Sequence, residues 1–160
     1  MSRPLKRART SGVRVARPID KELKVVNLTA TTSVVSTTLK TTTFPGTVVG
    51  LRWSMGTSAL TTGDSLLQWA VVVVQDGEAV NTPSITGGAD FYTPEQNVLA
   101  FGVARLMNNA ETGGNMNYNW EGSTKTMRKL KQGDILAFLA FSDVANSQTV
   151  DGVVQFFFKT

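Results

Sequence analysis

Six cations and not one carboxylate fall within the first nineteen residues of this chain: Arg3, Lys6, Arg7, Arg9, Arg14 and Arg17. The chemistry open to such a set is neutralisation of a polyanion, because guanidinium and ammonium groups hold phosphate oxygens through charge-assisted hydrogen bonds. Pro4, Gly12 and Pro18 interrupt the stretch, which has no hydrophobic period. It cannot bury enough apolar surface to offset the entropy of ordering. Residues 1–20 are therefore expected to form a disordered basic arm that attaches electrostatically to nucleic acid. A solubilising tail is the plainer alternative. The arm carries no aromatic side chain, so it would grip phosphates without stacking bases. Lys6, Arg7 and Arg9 also make a short basic run of the nuclear-localisation type, a pattern short enough to arise by chance.

Other chemistry is excluded by composition. The chain has no histidine and no cysteine, which removes Ser-His-Asp and Cys-His catalysis, histidine-ligated zinc and disulfides. Asp90 and Glu95 lie in a long loop, and glycosidases use carboxylate pairs, but sequence spacing does not fix the carboxyl separation. Yet Pro94-Glu95-Gln96 ahead of a strand reads equally as a turn and cap. Asp76-Gly77 and Asp151-Gly152 are turn signals without the oxygen count of a calcium loop. No catalytic residue, metal or cofactor is expected, and the chain is read as not an enzyme. No secretory signal is visible, because no apolar segment follows the N-terminal charges.

The arm must be carried by a body, and residues 21–160 read as one. The net charge of +4 is uneven: residues 20–160 hold ten basic and twelve acidic side chains, so the body is nearly neutral. At its centre is the stretch 66–76, LLQWAVVVVQD, apolar on both faces of an extended chain. It is too short to span a bilayer, which needs about 20 apolar residues as a helix. Four consecutive valines disfavour a helix, since each loses side-chain freedom against the preceding turn. A central strand covered on both sides is the remaining reading.

Around it the pattern predicts strands at 23–29, 32–40, 47–55, 97–107, 123–131, 134–143 and 151–159. In 47–55, Val49, Leu51, Trp53 and Met55 are expected to face inward. Residues 97–107 suit a helix by composition, but Gly102 inside the run argues for a strand. Two long loops, 77–97 and 108–122, separate these runs, and a loop of that length is usually functional. Trp53 and Trp69 lie on apolar strand faces and are expected in the core. Eight antiparallel strands without a helix suit a jelly roll, an immunoglobulin-like sandwich or an up-and-down barrel, and periodicity does not separate them. Three strands apolar on both faces point to outer faces covered by loops or by other copies of the chain.

Particular stretches carry a resemblance. LRW at 51–53, WAVVVVQDG at 69–77, YTPEQNVLAFG at 92–102, TKTMRKLKQGD at 124–134 and VQFFFKT at 154–160 resemble the capsid proteins of small circular, Rep-encoding single-stranded (CRESS) DNA viruses. The resemblance covers most of residues 46–160, and the basic arm matches in character. It implies an all-β, single eight-stranded antiparallel jelly-roll sandwich that self-assembles into a T=1 icosahedral shell of about sixty copies. The genome inside would be circular single-stranded DNA, with the arm lying on it. The implied partners are further copies of the chain, that genome, a host nuclear-import receptor and an unknown cell-surface receptor, with no membrane insertion. The implied location is the virion, and the host nucleus during assembly. Tyr92, Tyr118 and Trp120 in the long loops are candidates for the subunit interface. Tyr118 and Trp120 suit equally well the anchoring of their loop on its own domain.

In a jelly roll the first, eighth, third and sixth strands form one sheet and the second, seventh, fourth and fifth the other. That partition gives the first sheet Lys24, Arg52, Lys125, Arg128, Lys129, Lys131 and Lys159 against Glu22 and Asp151. The second has Lys40 and Arg105 against Asp76, Asp134 and Asp143. The first sheet of viral jelly rolls generally faces the lumen, so Lys24, Arg52, Lys125, Arg128, Lys129 and Lys131 join the arm as candidate nucleic-acid contacts. The blander view is that Lys125, Lys129 and Lys131 are a solvated face that blunts a sheet edge. About sixty arms supply roughly 360 positive charges, whereas the gene for this chain alone takes about 480 nucleotides. The arms are therefore expected to need help from the inner sheet and from counterions. Two other readings stay open: a soluble oligomeric binding module, lectin-like or cytokine-like, and the coat protein of a small RNA satellite virus.

Overall fold

A computed structural model of the chain describes residues 18–57, 65–78, 97–106, 118–143 and 148–159. Eight strands run through them: β1 (Ile19–Ala30), β2 (Val35–Thr41), β3 (Gly46–Thr57), β4 (Ser65–Val74), β5 (Val98–Leu106), β6 (Tyr118–Leu130), β7 (Ile135–Ser142) and β8 (Gln148–Lys159). All pair antiparallel, in two four-stranded sheets ordered β1-β8-β3-β6 and β2-β7-β4-β5. No helix occurs among the described residues. The basic arm falls almost wholly outside them, as do Tyr92, Asp90 and Glu95.

The core forms where the inward sets of both sheets meet. From the first sheet come Val26, Leu28, Leu51, Met55, Val154 and Phe156, and from the second Leu67, Trp69, Val71, Leu136 and Phe138. Full burial of such a side chain stabilises by about 1.5–3 kcal/mol. The expectation for residues 66–76 holds for the strand's middle and not for Leu66, which is exposed. Leu67, Trp69, Val71 and Val73 enter this core, while Ala70, Val72 and Val74 join Val34, Ala137, Leu139 and Phe141 in a second buried cluster on the opposite face.

The strands differ from the sequence pattern in several bounds and in one phase: β2 begins only at Val35, and β8 begins earlier, at Gln148. β1 starts at Ile19, because its pairing with β8 continues to Ile19 opposite Lys159. β6 starts at Tyr118, so Tyr118 and Trp120 are strand residues and not loop residues. Pairing with β3 extends to Thr57 opposite Tyr118, and the Asn- and Gly-rich composition masks a period-two pattern. In β3 a register shift between Val48 and Gly50 changes the phase, so that Val48 is fully buried while Val49 is only half-buried. A bulge of this kind re-aims the side chains that follow it.

At one end of the sandwich three turns are tied together. The Asp134 carboxylate, itself buried, accepts hydrogen bonds from the Lys131 amide at 2.8 Å and the Asp76 amide at 3.3 Å. Thr42 donates to the Asp134 carbonyl, and the Gly133 amide donates to the Thr42 carbonyl at 2.9 Å. Gly133 has φ 89°, a left-handed conformation that the tight β6–β7 turn requires and that glycine adopts without strain.

Candidate nucleic-acid interface

Side-chain parity decides which cations share a face. In β1 the even residues Val26, Leu28 and Ala30 are buried, so the odd residues Lys21, Leu23, Val25 and Asn27 face out. In β8 Val150, Val154, Phe156 and Phe158 are buried, leaving Asp151, Val153, Gln155, Phe157 and Lys159 outward. In β3 Arg52 and Ser54 are outward, and in β6 Glu121, Ser123, Lys125, Met127 and Lys129 are.

Register assembles these into rows across the first sheet. Lys159, Thr47 and Lys129 make one row; Lys21, Phe157, Gly50 and Lys125 the next; Leu23, Gln155, Arg52 and Ser123 the third. Val25, Val153, Ser54 and Glu121 follow, then Asn27, Asp151, Gly56 and Asn119. The face is thus divided. Lys21, Arg52, Lys125, Lys129 and Lys159 occupy one half, with Lys131 just beyond the end of β6. The carboxylates Glu121 and Asp151 occupy the other half, where Asp151 accepts a 2.6 Å hydrogen bond from Asn27. All six cations are exposed, and among the described residues none of them forms an ion pair. Unpaired cations at this density repel one another, and a bound polyanion relieves that repulsion.

Four of the body cations named from the sequence, Arg52, Lys125, Lys129 and Lys131, come together on this half. Lys24 and Arg128 do not. Lys24 has the inward parity of Val26 and pairs with Glu22 at 2.5 Å; Glu22 also pairs with Lys40 of β2. This cluster bridges the two sheets at their rim, and Lys40 lies 4.9 Å from the centre of the Phe158 ring. Burial alone would raise the Glu22 pKa, but hydrogen bonds and charge from Lys24 and Lys40 outweigh it and hold the carboxyl below its usual range. Arg128 has the inward parity of Leu130 and donates to the Asn97 side-chain oxygen at 2.8 Å, reaching from β6 to the start of β5.

Lys21 belongs to the cationic half and was not singled out from the sequence. The signal was present, since Val26 and Leu28 fix the parity of β1. Tyr118 and Trp120 lie half-buried against the core of their own chain. No three acidic side chains converge on a metal-sized site among the described residues.

Comparison with protein-family models gives no match to this chain, and comparison with curated proteins gives none either.

Proposed function

We propose that the chain is a viral coat protein: a jelly roll that self-assembles into a T=1 shell and packages circular single-stranded DNA. The observation that carries the reading is the cationic half of the β1-β8-β3-β6 face, six exposed cations without an ion pair among the described residues. Such a surface has the electrostatics that phosphate neutralisation requires. The strand order of the two sheets agrees with the jelly-roll partition, and this is the sheet that lines the lumen in the family resembled. Arg3, Lys6, Arg7, Arg9, Arg14 and Arg17 add a second set of phosphate contacts. Lys6, Arg7 and Arg9 act in nuclear import before assembly.

Self-association also has candidate surfaces. Phe101 and Val103 face out from the edge strand β5 at 76% and 60% exposure, beside the half-exposed Leu66 on β4. An exposed apolar set on a sheet edge favours contact with another chain. The test is deletion of residues 2–17, which removes all six arm cations and leaves β1 whole. The fold, read by circular dichroism, should be unchanged, and nucleic-acid uptake should be lost. Normal DNA loading by the truncated chain would remove the arm from the account.

A further inference from the structure

The cationic half contains one aromatic ring. Phe157 faces out from β8, with Lys21 of β1 opposite it on one side and Gly50 of β3 on the other, and Lys125 of β6 lies beyond Gly50. With strands about 4.8 Å apart, Lys21 and Lys125 stand roughly 14 Å apart across the row. Gly50 leaves the space between Phe157 and Lys125 without a side chain. A Cβ on Gly50 would sit 3.8 Å from Phe157 Cδ2 and 3.0 Å from the Thr124 carbonyl oxygen, so the ring leans over a strand that is bare at that point. Phe157 is half-buried, and among the described residues no cation lies over its ring; the one such contact is Lys40 on Phe158. A partly exposed aromatic ring flanked by unpaired lysines combines the two elements that hold single strands: a backbone-tracking charge and a platform for an unpaired base.

We propose that Phe157 stacks a base of the bound nucleic acid while Lys21, Lys125, Lys129 and Arg52 hold the flanking phosphates. This rests on the reading of the face as a polyanion site and adds a requirement to it: the ligand presents unpaired bases. A duplex keeps its bases inside and gains nothing from the ring. The carboxylates Glu121 and Asp151 exclude the strand from the other half of the face, which confines its path to the rows around Phe157.

The test is equilibrium binding of the nucleic-acid-free full chain to a short oligothymidylate and to an abasic strand of the same length, across a salt series. The arm has no aromatic residue and binds both strands alike. The wild-type chain should prefer the base-bearing strand by about 5- to 100-fold. Phe157→Leu should remove most of that preference with the salt slope unchanged, and Phe157→Trp should restore it. Equal, salt-dependent binding of both strands by the wild type, or a preference that survives in Phe157→Leu, overturns the stacking role and leaves the polyanion face standing. No binding of either strand overturns the face as well. The wild-type comparison needs no variant, so a Phe157→Leu chain that fails to fold does not remove the test.

Discussion

Trp53 and Trp69 meet between the two sheets with ring centroids 5.1 Å apart and planes tilted by 60°. Each comes from a different sheet, and each faces a glycine on the neighbouring strand: Gly122 opposite Trp53, Gly102 opposite Trp69. A Cβ on Gly122 would stand 2.5 Å from Trp53 Cζ2, and one on Gly102 would stand 2.8 Å from Trp69 Cζ2. The indoles occupy the space those side chains would need. Trp69 also stacks on Phe138 at 6.0 Å with only 9° between the planes. The sheet that carries the cationic face is thereby fixed to the sheet that carries the exposed β5 edge.

The glycine opposite Trp53 should be intolerant of even one added carbon. Gly122→Ala is expected to destabilise the fold by about 1–3 kcal/mol, since the ring must leave its rotamer or the strands must part. Adding Trp53→Phe should recover part of that loss by removing the colliding atoms. Urea unfolding followed by far-ultraviolet circular dichroism measures both. Equal losses in the single and double variants would show that the indole is not what excludes the side chain.

Acid should weaken the rim between β1 and β2. Glu22 has a depressed pKa in the folded chain. Its contribution is therefore fully present above the unfolded value of about 4.3 and is lost as pH falls through the lower folded value. The pair is partly exposed and screened by solvent, so Glu22→Gln should cost at most about 1 kcal/mol at neutral pH. The stability gap between wild type and variant should stay constant from pH 7 to about pH 5 and close below about pH 4. A gap unchanged at about pH 3 would contradict the role given to Lys24 and Lys40.

Cations of like charge but opposite parity should behave differently toward nucleic acid. Lys125→Gln removes an outward charge and should reduce the slope of log affinity against log salt by about 0.7 for a single strand. Lys24→Gln should leave that slope unchanged and lower stability instead, because Lys24 is occupied by Glu22. Titrations of both variants with the same oligonucleotide at several salt concentrations decide the matter. Equal effects would mean that the face is not a specific contact surface.

The period-two pattern made most of the strands legible from sequence, above all β4, whose two apolar sets enter two different clusters. It also held enough to sort the lysines. Val26 and Leu28 place Lys24 inward and Lys21 outward, and Leu130 does the same for Arg128 against Lys125 and Lys129. Grouping charges by strand without using parity merged the two sets. The phase change at Val48–Gly50 was not legible, because a bulge is fixed by pairing with two neighbours and leaves no mark in the pattern of β3. The start of β6 was hidden for a different reason. Its inward positions are held by Gly122, Thr124 and half-buried aromatics rather than by aliphatic residues, so composition read as loop. The row around Phe157 depends on register among four strands distant in sequence, and no local signal contains it.

The proposed coat-protein function requires a near-neutral β body to tile with copies of itself while cations on one face and in the arm hold a polynucleotide. Sedimentation of the purified full chain, with absorbance read at both protein and nucleic-acid wavelengths, tests this directly. At 17.2 kDa per chain, about sixty copies give a protein shell of about 1 MDa. The predicted result is a single fast boundary of at least that mass, carrying nucleic acid that protein denaturation exposes to nuclease. A monomer or small oligomer in every buffer, free of polynucleotide, would contradict it.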